Sequence, residues 1–242
     1  MSPRRLPVES LPEGGGRVVL SRDAARHAKV LRLGPGDPIV LFDGRGRRAS
    51  GRIESLVEGT VVCQVGPPTA EAAEAGTPRL HLVQALPKGS KLDDIVRIAT
   101  ELGVAGIHLV SSRNVVVRLD DERGDRRRER LLRIAVEAAR QCERDDVPDL
   151  TGPEPLFDAV RRAPAEALRL VACGRSGRPL GDVVSEEAWV VVGPEGGLAA
   201  EEVEALVGLG FRAVSFGSTV LRVETAVPVV LGVVADRLRS NA

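Results

Sequence analysis

The chain is 242 residues long, 43% hydrophobic and 28% charged, which suits one large or two small globular domains and excludes a disordered or fibrous protein. Its 34 basic and 34 acidic side chains cancel, so no overall basic field announces a nucleic-acid partner, and only Lys29, Lys88 and Lys91 among the cations are not arginine. One Trp, four Phe and no Tyr exclude modules that grip nucleic acid mainly by stacking bases on aromatic platforms.

In chain order, the runs RVVL, PIVLFDG, ASGRIESL and TVVCQV are short and β-like, with Gly-Pro, Asp-Gly and Glu-Gly turns between them. They predict a small barrel or curled sheet. One helix interrupts it, Ser21 to Leu33, with Ser21 as N-cap. It presents Arg22, Arg26, Lys29 and Arg32, three or four apart, on roughly one face. Such a stripe is a contact surface for RNA phosphates or an ordinary solvated helix face. The stretch GPPTAEAAEAGTP has breakers, small residues and no large apolar side chain, so residues 68–78 read as a linker between domains 1–67 and 79–242. Charge separates across it, with 11 basic against 7 acidic side chains in residues 1–67 and 23 against 25 in residues 79–242.

The second part alternates strands and helices. Strands are predicted at Leu80 to Leu86, Gly106 to Val110, Ala167 to Ala172, Trp189 to Val192 and Arg212 to Phe216. Helices are predicted at Ser90 to Leu102, opened by a capping box of Ser90 and Asp93, and at Arg126 to Cys142, Pro155 to Arg162, Ala200 to Leu209 and Glu224 to Arg239. The alternation means βαβ units, an α/β fold with a mainly parallel sheet covered on both faces. His81 and His108 fall within apolar strands and read as core histidines.

Three successive strands end in glycine, at Gly174, Gly193 and Gly217, which places a pocket at the carboxyl edge of the sheet. The middle loop, Gly193-Pro194-Glu195-Gly196-Gly197, is neither a Walker loop nor G-x-G-x-x-G, and the following helix opens with Glu201, Glu202 and Glu204. Those acids repel a triphosphate. A ligand with a positive charge and a planar ring, such as S-adenosylmethionine, suits the loop better. Arg222 and Glu224 interrupt an apolar stretch and need partners, Pro228 falls in the first turn of its helix, and VVLGVVA is apolar all round, as in a buried or dimer-forming helix. Three cysteines without C-x-x-C spacing suggest neither disulfides nor a metal site. With no signal peptide and no apolar run long enough to span a bilayer, a cytoplasmic protein is expected.

GPEGG before an acidic helix, followed by FGSTVLRVETA, resembles the paired C-terminal motifs of the SPOUT methyltransferases, specifically the RsmE-type family that methylates N3 of a uridine in small-subunit ribosomal RNA. HAKVLRLGPGD with VLFDG resembles that family's PUA-like domain. LPKGSKLDDIVRIATELGV, SSRNVVVRL and IAVEAARQCERDDVP resemble its central motifs in the same order, so the similarity covers nearly the whole chain. The resemblance implies a SPOUT α/β domain with a C-terminal trefoil knot behind a PUA-like β-barrel, a homodimer, no metal, and 16S rRNA of the small ribosomal subunit as partner. It implies S-adenosylmethionine held by Cys173, Gly174, Gly193, Pro194, Glu195, Gly196, Gly197, Phe216, Gly217, Val220 and Leu221. Arg222, Glu224 and Thr225 fall nearest the chemistry, Arg222 stabilising the uridine anion and Glu224 orienting it or acting as base. Arg5, Arg26, Lys29, Arg32, Arg113 and Arg144 are the RNA contacts expected. Ser218-Thr219 stand where the family has Pro-Arg, Val223 replaces a usual Thr, and Arg140, Asp145 and Asp146 depart from the central pattern. Another SPOUT enzyme acting on tRNA or a ribose 2′-hydroxyl, or a non-catalytic RNA-binding protein of ribosome assembly, are the competing readings.

Overall fold

The computed structural model describes residues 3–57, 60–70, 78–113 and 121–239. Residues 71–77 of the predicted linker and 114–120 of the SSRNVVVRL motif lie outside them. The chain divides into two compact units, Met1–Glu74 with Val136–Val147, and Ala75–Ala135 with Pro148–Ala242.

The first unit holds β1 (Arg4–Pro7), β2 (Gly16–Val19), α1 (Arg22–Val30), β3 (Pro38–Phe42), β4 (Arg47–Val57), β5 (Thr60–Val65) and β6 (Thr69–Ala70). The strands form one sheet in the order β1-β3-β4-β5-β2, with β6 on β4, and only the β1–β3 pair is parallel. Period-two patterning decides which side chains turn inward: Ile39 and Leu41 of β3, and Val61, Cys63 and Val65 of β5, join the core. Helix α1 packs on them through Ala24, Ala25 and Ala28, side chains small enough for close approach. Its N-terminus is capped as expected, with Ser21 Oγ accepting from Ala24 N–H at 3.3 Å. Residues 69–70, assigned to the linker by composition, are a strand of this sheet.

The second unit holds β7 (Arg79–Ala85), α2 (Lys91–Glu101), β8 (Gly106–Ser111), α3 (Asp121–Gln141), whose last turns belong to the first unit, β9 (Asp149–Pro155), α4 (Leu156–Val160), β10 (Leu168–Ala172), β11 (Arg178–Pro179), β12 (Glu187–Val192), α5 (Ala200–Gly208), β13 (Arg212–Ser215) and α6 (Val223–Arg239). Its strands run β11-β13-β10-β12-β7-β8-β9, every neighbouring pair parallel. Continuous apolar runs such as Ala188 to Val192 are buried throughout, as parallel strands covered on both faces must be. Helices α4 and α5 share a core with Val83, Ala85, Val171, Trp189 and Val191. Helix α6 packs on α2, β7 and β12. Its Val227, Val230, Leu231 and Val234 are buried, each burial contributing roughly 1.5–3 kcal/mol.

Several expectations are corrected here. Ser90 precedes α2 with ψ 5°, outside the extended geometry of a capping residue, and its side chain makes no cap bond. Asp93 is instead paired with Arg130 at 2.5 Å. Pro228 lies inside α6 rather than in its first turn, where it removes the N–H that would bond the Glu224 carbonyl. Strand β9, with Gly152-Pro153 in its middle, was not expected at all. No described helix is long and apolar enough to cross a membrane.

Candidate active site

Strands β13, β10 and β12 are adjacent and parallel, so their carboxyl ends share one edge. The loops leaving them enclose a cavity of about 460 Å³, a size typical of small-molecule sites. Every residue expected to hold the cofactor except Gly217 lines it: Cys173, Gly174, the whole Gly193 to Gly197 loop, Phe216, Val220 and Leu221. Gly217 directly follows the lining residue Phe216, with φ 140°. Val192, Leu198, Val203 and Val230 add apolar walls.

Two positions of the loop after β12 favour glycine: Gly193 for space and Gly197 for its φ of 72°. A Cβ on Gly193 would lie 3.0 Å from the Leu198 nitrogen and 3.2 Å from the Gly197 carbonyl carbon. The Gly197 N–H donates to the Pro194 carbonyl at 2.9 Å, closing the turn. After β10, the Ser176 hydroxyl and N–H both donate to the Cys173 carbonyl, at 2.9 and 3.0 Å. Glu202, buried at the start of α5, accepts from the Ala199 N–H and from the Arg113 N–H, both at 2.8 Å. It thereby fixes the strand-end loop of β8 to the first turn of α5.

Among the described residues the cavity wall carries two charges, Arg175 and Glu195. Both Glu195 oxygens accept from the Lys88 N–H, at 3.2 and 3.1 Å, and the Lys91 ammonium lies 3.1 Å from one of them. Desolvation raises the Glu195 carboxyl, but its backbone hydrogen bonds and Lys91 outweigh it and hold the group below the usual carboxylate range. Lys91 also lies 3.1 Å from Glu224 Oε2. Backbone hydrogen bonding at the start of α6, then Lys91, then the nearby Arg222 charge lower Glu224. Both acids are therefore anions at neutral pH.

Arg222, Glu224 and Thr225 lie beside the cavity rather than in its wall. The Arg222 carbonyl accepts from Thr225 and Ala226 N–H groups, at 2.9 and 2.7 Å, so this residue opens α6. Its side chain is exposed while Val223 is buried, which turns the guanidinium outward. Sequence reasoning missed Arg175, Ser176, Thr219, Val223, Ala226 and Val230 as wall residues. The last three were legible as one face of α6, spaced at three and four residues.

The expected RNA contacts divide into two kinds. Arg22, Arg26, Lys29 and Arg32 are exposed, and none makes an ion pair among the described residues. Arg113 is also exposed, 3.5 Å from Glu201. Arg5 and Arg144 are corrected: they are turned into the first unit. Arg5 is bonded to Asp145 and, at 2.9 Å, to the Arg144 carbonyl, and its guanidinium lies 5.3 Å from the Phe42 ring centre. Arg144 pairs with Asp146 at 2.6 Å. With side chains 10% and 14% exposed, both guanidiniums are occupied in holding the β1 edge and the loop after α3.

Comparison with known proteins agrees with this geometry. Residues 74–235 match the model of an RNA methyltransferase domain, and residues 20–65 that of an RNA methyltransferase PUA domain. The ribosomal RNA small subunit methyltransferase E of Mycobacterium bovis is 33% identical over 94% of this chain and 89% of its own length. That of Bacillus subtilis is 32% identical over 81% of this chain and 80% of its own. The crystal structure of a ribosomal RNA small subunit methyltransferase E from Neisseria gonorrhoeae bound to S-adenosyl methionine superposes with a TM-score of 0.89 at 27% identity, covering 98% of each chain. The chain belongs to the RNA methyltransferase family, with that family's PUA domain in front, and to its ribosomal RNA small subunit methyltransferase E branch.

Proposed function

We propose that this protein transfers the methyl group of S-adenosylmethionine to N3 of a uridine in the 16S rRNA of the small ribosomal subunit. The observation that carries this reading is the cavity walled by the strand-end loops of β10, β12 and β13, where the motif residues converge. The residues fit the cofactor. Glycine backbone and apolar side chains accept a planar adenine, and the Glu195 anion suits a ligand that carries positive charge. Bound there, S-adenosylmethionine supplies an electrophilic methyl on its sulfonium.

Transfer makes an N3–C bond, breaks the S–C bond and releases the N3 proton. N3–H is a weak acid, so the protein's part is to favour the anion and align it. In this reading Arg222, exposed and flanked in sequence by the cavity residues Leu221 and Val223, stabilises negative charge on a uridine carbonyl oxygen. Glu224, ionised and beside it, orients the guanidinium or accepts the proton. Arg22, Arg26, Lys29 and Arg32 grip RNA phosphates, with Arg113 assisting from the second unit.

The same reading makes the segment through β12, β13 and α6 a trefoil knot. Its support is the strand order, in which the chain passes β10 on its way from β12 to β13 before α6 packs on β12 and β7. It closes the first sheet into a barrel, makes the first unit the RNA-binding domain and the second the methyltransferase domain, and puts the enzyme in the cytoplasm as a homodimer. Exposed Val220 and Val233 support self-association.

Calorimetry with S-adenosylmethionine and methyl transfer to isolated small subunits test the reading together. Arg222→Ala should lower turnover at least about 100-fold while cofactor affinity stays within about threefold of the parent. A parent protein that does not bind S-adenosylmethionine overturns the proposal. Loss of binding together with turnover makes Arg222 structural.

A further inference from the structure

One ammonium group joins two parts of the cavity that no motif links. Lys91 Nζ lies 3.1 Å from Glu195 Oε1 and 3.1 Å from Glu224 Oε2. Glu195 belongs to the loop after β12, which forms one wall of the cavity. Glu224 belongs to the first turn of α6, whose Ala226 and Val230 form another. Lys91 is the first residue of α2, a helix anchored by buried Leu92, Ile95 and Val96. We propose that Lys91 is a positioning residue for methyl transfer: it ties the Gly193 to Gly197 loop to the start of α6 and so sets the separation of the cavity walls.

The electrostatics require such a tether. Two carboxylates that each touch one nitrogen at 3.1 Å stand no more than about 6 Å apart, where like charges repel and each raises the other's affinity for protons. Lys88 contributes a backbone N–H to Glu195, and Arg222 acts on Glu224. The other acids at the start of α2 are committed elsewhere, Asp93 to Arg130 and Asp94 to Arg97. Glu224 Oε2 is buried and accepts no hydrogen bond among the described residues, so its compensation is the charge of this ammonium at 3.1 Å. With Lys91 removed, that oxygen is left uncompensated, which drives either protonation of Glu224 or withdrawal of the α6 turn. In both cases the loop after β12 loses its link to α6.

The inference rests on S-adenosylmethionine binding in this cavity, and the test separates the two. Cofactor affinity is measured by calorimetry from pH 5 to 8 for the parent, Lys91→Met, Lys91→Arg, Glu195→Gln and the Lys91→Met/Glu195→Gln pair, with folding of each checked by circular dichroism. Lys91→Met should weaken binding about tenfold and move its acid limb upward by about one pH unit, because the two carboxylates then face each other with no cation between them. Lys91→Arg should restore both to near the parent. The effect of Lys91→Met should shrink in the Glu195→Gln background, since the repulsion it exposes is gone. Unchanged binding in Lys91→Met overturns the proposal, as does an equal loss in Lys91→Met and Lys91→Arg with no movement of the acid limb. If Lys91→Met does not fold, Lys91→Arg against Glu195→Gln decides: equal loss in both overturns it, and loss in Glu195→Gln alone supports it. No binding by the parent overturns the cofactor reading itself.

Discussion

Arg32 shows what a single residue is being asked to do. It follows the C-cap of α1 with φ 56°, in the left-handed region where glycine is usual. The Arg32 N–H donates to the Lys29 carbonyl and the Leu33 N–H to the Ala28 carbonyl, both at 3.0 Å, so the helix ends in a Schellman motif built on an arginine. An L side chain in that conformation costs about 1 kcal/mol. The strain is consistent with a guanidinium kept for contact with phosphate. Arg32→Gly should therefore raise stability by up to about 1 kcal/mol in urea melts, while RNA affinity falls and its salt dependence becomes shallower by about one ion. Loss of stability together with unchanged RNA affinity would make Arg32 a packing residue. Arg5 and Arg144 teach the converse. Their charge was legible, but Arg5 is paired with an acid 140 residues away, and no local pattern announces such a partner.

At the scale of elements, apolar runs and terminal glycines identified the five central strands of the parallel sheet, because burial on both faces leaves no ambiguity of pattern. The edge strand β9 was illegible for a physical reason. Its Gly152 has φ 85° and packs so tightly that a Cβ would meet the Leu109 carbonyl oxygen at 2.1 Å, in step with a bulge opposite His108 to Val110. Glycine and proline there make a bulged edge and look like a turn. Neighbouring strands bring His81, His108 and Trp189 into a stack, with ring centres 4.6 Å apart for His81 and Trp189 and 4.5 Å for His108 and Trp189. His81 Nδ1 lies 3.2 Å from His108 Nε2, within hydrogen-bond distance, and Thr151 Oγ1 lies 2.9 Å from His108 Nδ1. Burial, then the His81 charge, push His108 down to about 4 from an ordinary value of 6.5. Burial also lowers His81. A depressed histidine means that the unfolded chain takes up protons from about pH 6.5 while the folded one does not until about pH 4. Stability should fall on acidification through that window, and His108→Gln should flatten the fall by on the order of 2 kcal/mol. Urea midpoints at pH 7 and pH 5, followed by the fluorescence of the single tryptophan, check this. Equal slopes in both proteins contradict it.

For the whole molecule, the zero net charge concealed a division that matters. The basic excess lies in the first sixty-seven residues, and the exposed basic stripe along α1 lies there too. The division into two units could be placed in sequence only by composition, so the return of residues 136–147 to the first unit was invisible. Their attachment runs through Arg5, Arg48 and Asp145 and through the bridge between Gly44 and Asp146. The cavity was legible because three glycine-ended strands are neighbours in one parallel sheet. The bridging role of Lys91 was not, since it depends on α2 and α6 packing together across more than a hundred residues of chain. The most direct test is mass spectrometry of 16S rRNA from cells lacking this protein, with the purified protein and S-adenosylmethionine then added to their small subunits. The account predicts that one N3-methyluridine disappears and that the parent protein restores it while Arg222→Ala does not. Retention of every N3-methyluridine in the deleted strain, or restoration by Arg222→Ala at the parent rate, would contradict it.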